Sequence, residues 1–196
     1  MALHGYLRLN TRAWHDRVDA AFEKLDLTTE PGYRAFLEAH AQVVPDCERH
    51  LVRAGCDARF PGWTGKVRTP ALRSDLDAMG VAKPMPRASA QADVQLSTAD
   101  PALVGMMYVL EGSRLGGLVL ARRVRKSGNA RCQSATQYLA HDGGVSWRSF
   151  LDRLETLQFT EVETQAALAA AIEIFRLFER SVVTVRLTGT LNDQQC

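Results

Sequence analysis

Three features of this 196-residue chain predict an all-α fold, built as a single compact multi-helix domain over residues 1–196. Apolar residues recur at helical spacing almost throughout, and no stretch alternates apolar and polar side chains between hairpin turns. A hydrophobic content of 46% over this length fills one core and is too little for two.

The first helix is predicted over residues 3–25. A second opens at Pro31, where proline suits a first turn, and continues past Pro45 with a kink there. The third covers residues 70–79 and stops at Gly80. "GCDARFPGWTG" and residues 81–98 carry proline, glycine or polar residues and read as loops. A glycine-rich helix spans residues 100–126. After "SGNA" come a short piece over 133–140 and a helix near 145–157. The last helix opens at Thr160, with Glu163 three residues later completing a capping box. On it Leu168, Ile172, Phe175 and Val182 share one face.

Charge and cysteine usage narrow the function classes. With 24 Lys and Arg against 22 Asp and Glu, the net charge of +2 gives no global field that would gather nucleic acid or an anionic membrane. "MALHGYLRLNTRAWHDR" has no continuous apolar run of the signal-peptide kind, and nowhere do 18 apolar residues follow one another, so the expected location is the cytoplasm. Cys47, Cys56, Cys132 and Cys196 form no C-x-x-C and read as free thiols.

Two constellations carry chemistry. The first is the stretch "YVLEGSRLGG", residues 108–117, which places three glycines in its last six positions of a helix, each costing about 1 kcal/mol relative to alanine. Gly105, Val109, Gly112 and Gly116 fall at i, i+4, i+7 and i+11, which strips one helix face of side chains. Such a face permits either close helix–helix packing or the approach of a flat ligand to bare backbone, and spacing alone leaves both open.

The second constellation lies in "LRLNTRAWHDRVDAAF". Arg8, Thr11, His15, Asp19 and Phe22 stand at i−7, i−4, i, i+4 and i+7 around the histidine, on one face. Asp19 can accept the proton of one imidazole nitrogen and leave the other to ligate a metal. A lone helical histidine is more often a surface or satisfied core residue, and His4, His40, His50 and His141 offer less: the glutamate two residues before His40 and before His50 lies off the histidine's face, and His4 and His141 fall in frayed or loop positions.

"LRLNTRAWHDRVD" followed about a hundred residues later by "YVLEGSRLGG" resembles the biliverdin-producing heme oxygenases, most closely the bacterial branch associated with bacteriophytochromes. The likeness extends through "YRAFLEAH" and the final helix, and so covers most of the chain. It implies heme held between a proximal N-terminal helix and a kinked, glycine-rich distal helix, with His15 as the axial metal ligand and Gly112, Ser113, Gly116 and Gly117 on the catalytic distal side. The implied reaction is reductive opening of heme, both cofactor and substrate, to biliverdin, CO and ferrous iron. It consumes O2 and external electrons from a donor such as ferredoxin or a reductase. A bacteriophytochrome is the implied acceptor of the bilin. Arg8 is the first candidate to hold a propionate, with Arg176 and Arg180 of the last helix as seconds, and Thr11, Asp19 and Val109 complete the expected heme contacts.

One position departs from the pattern. Mammalian-type members carry an aspartate after the first glycine of the motif, and here it is Ser113, which can donate and accept but brings no charge. Arg114 is expected to point toward solvent or a propionate. Three rivals compete with the oxygenase reading: a heme sensor or carrier without turnover, a related helical fold for a thiamine-type ligand or a di-iron centre, and a helical interaction module. The di-iron form lacks its usual E-x-x-H spacing anywhere in the chain.

Overall fold

The computed structural model describes residues 2–81, 100–141 and 147–193, and every described element is helical or a turn. The expected loop over 81–98, the start of the helix near Val145 and Cys196 therefore lie largely or wholly outside the described residues. Helix α1 (Leu3–Phe22) is slightly shorter than expected. Helix α2 (Glu30–Ala41) is capped by Thr29, whose hydroxyl accepts from the Gly32 amide, and carries Pro31 in its first turn.

The kink expected at Pro45 is a full break. Proline has no N–H to donate to the carbonyl of Ala41 and its ring crowds that carbonyl, so α2 ends and α3 (Val44–Arg53) restarts with Pro45 in its first turn. Two 3-10 turns, Cys56–Ala58 and Thr64–Lys66, punctuate the loop that follows. Helix α4 (Thr69–Ala78) ends as expected. Gly80 takes φ 76°, and the Val81 amide reaches back to the Leu76 carbonyl at 2.9 Å.

Helix α5 (Asp100–Arg125) forms the middle of the molecule and runs unbroken. Residues 102–111 are buried on all sides, whereas beyond them only Arg114, Gly117, Ala121 and Val124 are. It is long and apolar enough to cross a membrane by composition, yet its buried half is the core of the bundle. Helices α6 (Ala130–Ser134) and α7 (Gln137–Ala140) replace the single short piece expected over 133–140. Asp75, wholly buried on α4, explains the division: its carboxylate accepts from the amides of Gln137 (3.0 Å) and Tyr138 (2.8 Å), and so starts a separate helix. Burial holds that carboxyl above its usual range, and the two amides oppose the shift.

Helices α8 (Trp147–Glu155) and α9 (Glu161–Asp193) complete the chain. The capping box is present, with the Thr160 amide donating to Glu163 at 2.8 Å and the Glu163 amide to the Thr160 hydroxyl at 3.3 Å. The core-facing stripe of α9 sits one position earlier than read from the sequence. Ala167, Ala171 and Ile174 are fully buried, Leu168 and Ile172 only half so, while Phe175 and Val182 are buried as expected. The shift follows from Gly105, where α5 and α9 cross: a Cβ there would stand 2.0 Å from the Ala167 carbonyl oxygen. Backbone meets backbone at that crossing, which only glycine allows.

Candidate functional site

A cavity of about 1020 Å³ opens between α1 and the second half of α5. Its inner end is closed by Phe36 and His40 of α2, Tyr138 and Leu139 of α7, and Phe175 and Phe178 of α9. Of the residues selected from the sequence, Arg8, Thr11, His15, Asp19, Val109, Gly112, Ser113, Gly116 and Gly117 all line it. Arg176 does not. Its guanidinium lies 4.8 Å from the Trp14 ring and 3.6 Å from Glu173, and Arg180 donates to the same glutamate at 2.7 Å, so both arginines of the last helix are engaged outside the cavity.

His15 faces the cavity with a fixed ring. Its Nδ1 lies 3.1 Å from the Asp19 carboxylate, one helical turn on, and Phe175 meets the imidazole nearly edge to face at 6.0 Å. With Nδ1–H given to Asp19, Nε2 keeps its lone pair for a ligand. Partial burial raises the Asp19 carboxyl above its ordinary range, His15 pulls it down, and Asp16 and Glu23 add to the rise. Thr11 is spent on structure. Its hydroxyl donates to the Leu7 carbonyl at 2.8 Å and bonds the Tyr108 phenol, whose own proton burial retains.

The glycine stripe divides between two jobs. Gly105 serves the α5–α9 crossing. Gly117 touches the cavity, but its absent side chain would point 3.0 Å from the Leu139 carbonyl, so it also serves packing. Gly112 faces the Trp147 ring, with room for a methyl at 3.7 Å, and Gly116 faces open space with nothing within 4 Å. The stripe therefore packs closely at Gly105 and Gly117 and leaves open space beside Gly116.

Ser113 has no free proton to offer the cavity. Its hydroxyl donates to the Leu110 carbonyl at 2.7 Å and accepts from Arg68 at 3.0 Å, and Arg68 donates to the same carbonyl at 3.1 Å. Arg68 is 3% exposed, lies 5.1 Å over the Tyr138 ring, and leaves its Nε without a hydrogen-bond partner. Glu48 stands 4.0 Å away, its oxygens occupied by the amides of Arg68 and Thr69 at the start of α4. The wall opposite His15 is thus made polar by a buried guanidinium, where the family pattern leads one to expect a carboxylate.

Sequence reasoning passed over His40 and Arg68. His40 lies in a cage of Phe22, Phe36, Tyr138 and Phe178, at centroid distances of 4.2–5.3 Å, with Nδ1 2.8 Å from the Phe36 carbonyl. Burial, with the charge of Arg68 adding, pushes the imidazole down to about 3, so it is neutral. A signal existed: Tyr33, Phe36, Leu37 and His40 form the buried stripe of α2 at i, i+3, i+4 and i+7. Arg68 precedes a helix and carries no such signal. Arg114 is also corrected, being 7% exposed and bound to Glu111 (3.0 Å), the Lys66 carbonyl (2.7 Å) and His141 (3.2 Å) rather than turned to solvent.

The donor set suits a heme. One imidazole faces the Gly112 and Gly116 positions of α5 across a largely apolar cavity at the upper end of ligand-pocket sizes. Among the described residues no group of three or more His, Cys, Asp and Glu side chains could hold a metal ion.

A family model described as heme oxygenase matches residues 1–184. A heme oxygenase of Xanthomonas campestris pv. campestris is 36% identical over 151 residues, which is 74% of this chain and 86% of that protein. Heme oxygenase PigA of Pseudomonas aeruginosa is 26% identical over 178 residues, 88% of this chain and 87% of its own length. Among solved structures, the NO- and CO-bound heme oxygenase from Neisseria meningitidis matches with a TM-score of 0.75 and 23% identity, over 94% of this chain and 92% of that one. Heme oxygenase from Leptospira interrogans gives 0.72 and 24%, over 93% and 98%. At such identities the two structures attest to the fold.

Proposed function

The chain belongs to the heme oxygenase family, and from that premise we propose that His15 is the axial ligand of the heme while Gly112 and Gly116 bound its other face. The protein is an oxidoreductase that degrades heme with O2 and external electrons. Heme, when bound, supplies the iron that activates dioxygen and the ring that is opened, to biliverdin, CO and ferrous iron.

The residues do the positioning. Asp19 fixes the His15 tautomer and raises the basicity of Nε2. Gly116, with open space beside it, would let a flat ring approach the α5 backbone. Arg68 holds Ser113 and the Leu110 carbonyl in place and presents a buried guanidinium to that wall, a donor where the mammalian-type pattern has a carboxylate acceptor. The aromatic residues make the inner end of the cavity apolar. We further propose a cytoplasmic location, a ferredoxin or reductase as electron donor, and a bacteriophytochrome as recipient of the bilin, on the likeness of the two sequence motifs to that branch.

The observation that carries the reading is His15, its Nδ1 3.1 Å from Asp19, on the same cavity as Gly112 and Gly116. Hemin added to the purified protein should give a Soret band. Ascorbate under air should then bleach it as a biliverdin spectrum grows. A stable ferric or oxy spectrum would indicate a carrier, and no Soret shift would remove heme from the account.

A further inference from the structure

The balanced net charge of the chain conceals a local asymmetry. Residues 112–141 hold six of its 24 basic residues and none of its 22 acidic ones. Arg114 is buried and spent on Glu111 and Lys66, Arg125 donates to the Thr136 hydroxyl, and Arg131 to Glu30. Arg122, Arg123 and Lys126 are exposed at the end of α5, and no side-chain hydrogen bond or ion pair engages them among the described residues. Arg123 lies near the Asp26 carboxyl, but the lowered pKa of that group comes mainly from the hydroxyl and amide of Thr28. A helix C-terminus attracts cations to its own dipole, and by themselves these three require no partner.

The turns before them supply a second feature. Leu115, Leu118 and Val119 are exposed aliphatic side chains. With Arg122, Arg123 and Lys126 they stand at i, i+3, i+4, i+7, i+8 and i+11, on one outward face of α5 about 16 Å long. An apolar stripe that passes into free cations is the pattern of a helix lying on a membrane surface, its aliphatic side chains at the acyl boundary and its cations at anionic headgroups. The core of a protein interface favours aromatic residues, and this stripe has none. The stripe also adjoins the cavity. Leu115 belongs to both, the exposed Gly116 beside it lines the cavity too, and so does the exposed Leu9 of α1. The carboxylates of the cavity, Asp16 and Asp19, stand on α1 and not on this face.

We propose that the outer face of α5 docks on an anionic lipid bilayer, with Leu115, Leu118 and Val119 at the acyl boundary and Arg122, Arg123 and Lys126 at the headgroups. The cavity then opens beside the lipid surface. On the heme oxygenase reading, on which this step rests, its ligand is a flat apolar ring that partitions into bilayers, so the docked protein draws substrate from the membrane instead of from water. A cytoplasmic protein meets the anionic leaflet. Three aliphatic side chains and three charges give reversible contact and no permanent anchor.

The test sediments the heme-free protein with vesicles of phosphatidylcholine alone or mixed with phosphatidylglycerol. Wild type should bind the mixed vesicles, leave them in high salt, and ignore the neutral ones. Arg122→Gln/Lys126→Gln should weaken that binding by roughly tenfold or more, the scale of two basic residues at an anionic surface. Leu118→Ser/Val119→Ser should weaken it as well. Arg49→Gln/Arg53→Gln on α3, which removes the same charge elsewhere, should bind as wild type does. Stopped-flow transfer of hemin from preloaded mixed vesicles should slow in both α5 variants, while hemin added from solution binds them as it binds wild type. Failure of wild type to bind mixed vesicles, equal losses in the α3 and α5 variants, or hydrogen exchange over residues 115–126 slowed by a small acidic protein but not by vesicles would each overturn the proposal. A wild type that takes up no hemin from solution would instead sink the heme reading, since vesicle binding is measured without heme.

Discussion

His15 can offer only one nitrogen to the cavity, because Asp19 holds the other. His15→Ala should abolish the wild-type ferric spectrum and ring opening, while Asp19→Ala should retain heme and change the iron–histidine stretch, which resonance Raman would read. A Raman line unmoved by Asp19→Ala would break the assigned link. This pair was legible in the sequence, since i,i+4 spacing on one helix needs no tertiary information. For His40 the α2 stripe could have shown burial but not the cage, which is assembled from α1, α2, α7 and α9. Its depressed folded value, about 3 against an ordinary 6.5, means the unfolded chain binds the extra proton between those limits. Stability conferred by the neutral imidazole is thus present above pH 6.5 and falls on acidification. The loss from pH 7 to pH 5 should be about 2 kcal/mol. Urea unfolding at the two pH values, with His40→Phe as the comparison, checks it: the variant should lose less than wild type.

Helix α5 shows how one sequence pattern serves two ends. Its glycines looked equivalent by phase, yet Gly105 meets the α9 backbone and Gly116 meets nothing. Gly105→Ala should therefore force α5 and α9 apart and destabilise the apo protein by about 3 kcal/mol, as overpacking does. Gly116→Ala should leave it as stable, or more stable by up to about 1 kcal/mol through helix propensity, while impairing or redirecting ring opening. Chemical denaturation of the two apo variants beside product chromatography separates them. The decisive difference is which helix crosses each glycine, and periodicity carries no information on that. The same limit explains the divisions between α2 and α3 and between α6 and α7. A proline marks the first, so only its severity was misjudged. The second depends on the Asp75 carboxylate more than sixty residues upstream, and no local pattern shows it.

Burial across the helices is uneven in a way that couples stability to the ligand. Of the twenty residues of α1 only Leu3, Leu7 and Thr11 are buried, whereas α5 buries an unbroken run from 102 to 111. What holds α1 in place is largely α9. The Trp14 ring carries the guanidiniums of Arg17 (4.6 Å) and Arg176 (4.8 Å), and Arg17 bonds both oxygens of Glu179 at 2.9 Å. Exposed ion pairs of this kind contribute little, and cation–π contacts at exposed sites about 0.5–1 kcal/mol each. The helix carrying the candidate ligand is thus buried over a small part of its length, with Trp14, Val18, Ala21 and Phe22 packed on the core only in part, whereas α5 is anchored by its buried first half. Heme would fill the cavity along the face of α1 from Arg8 to Phe22 and supply the apolar partner that this face lacks. In the apo protein, amides of α1 should then exchange with solvent well before those of residues 102–111. Hemin should slow exchange in α1 selectively and raise the melting temperature in proportion to ligand excess. Hydrogen-exchange mass spectrometry with and without hemin reads both. Equal apo protection of α1 and α5, or a hemin effect spread evenly over all helices, would show that α1 is held by the protein alone.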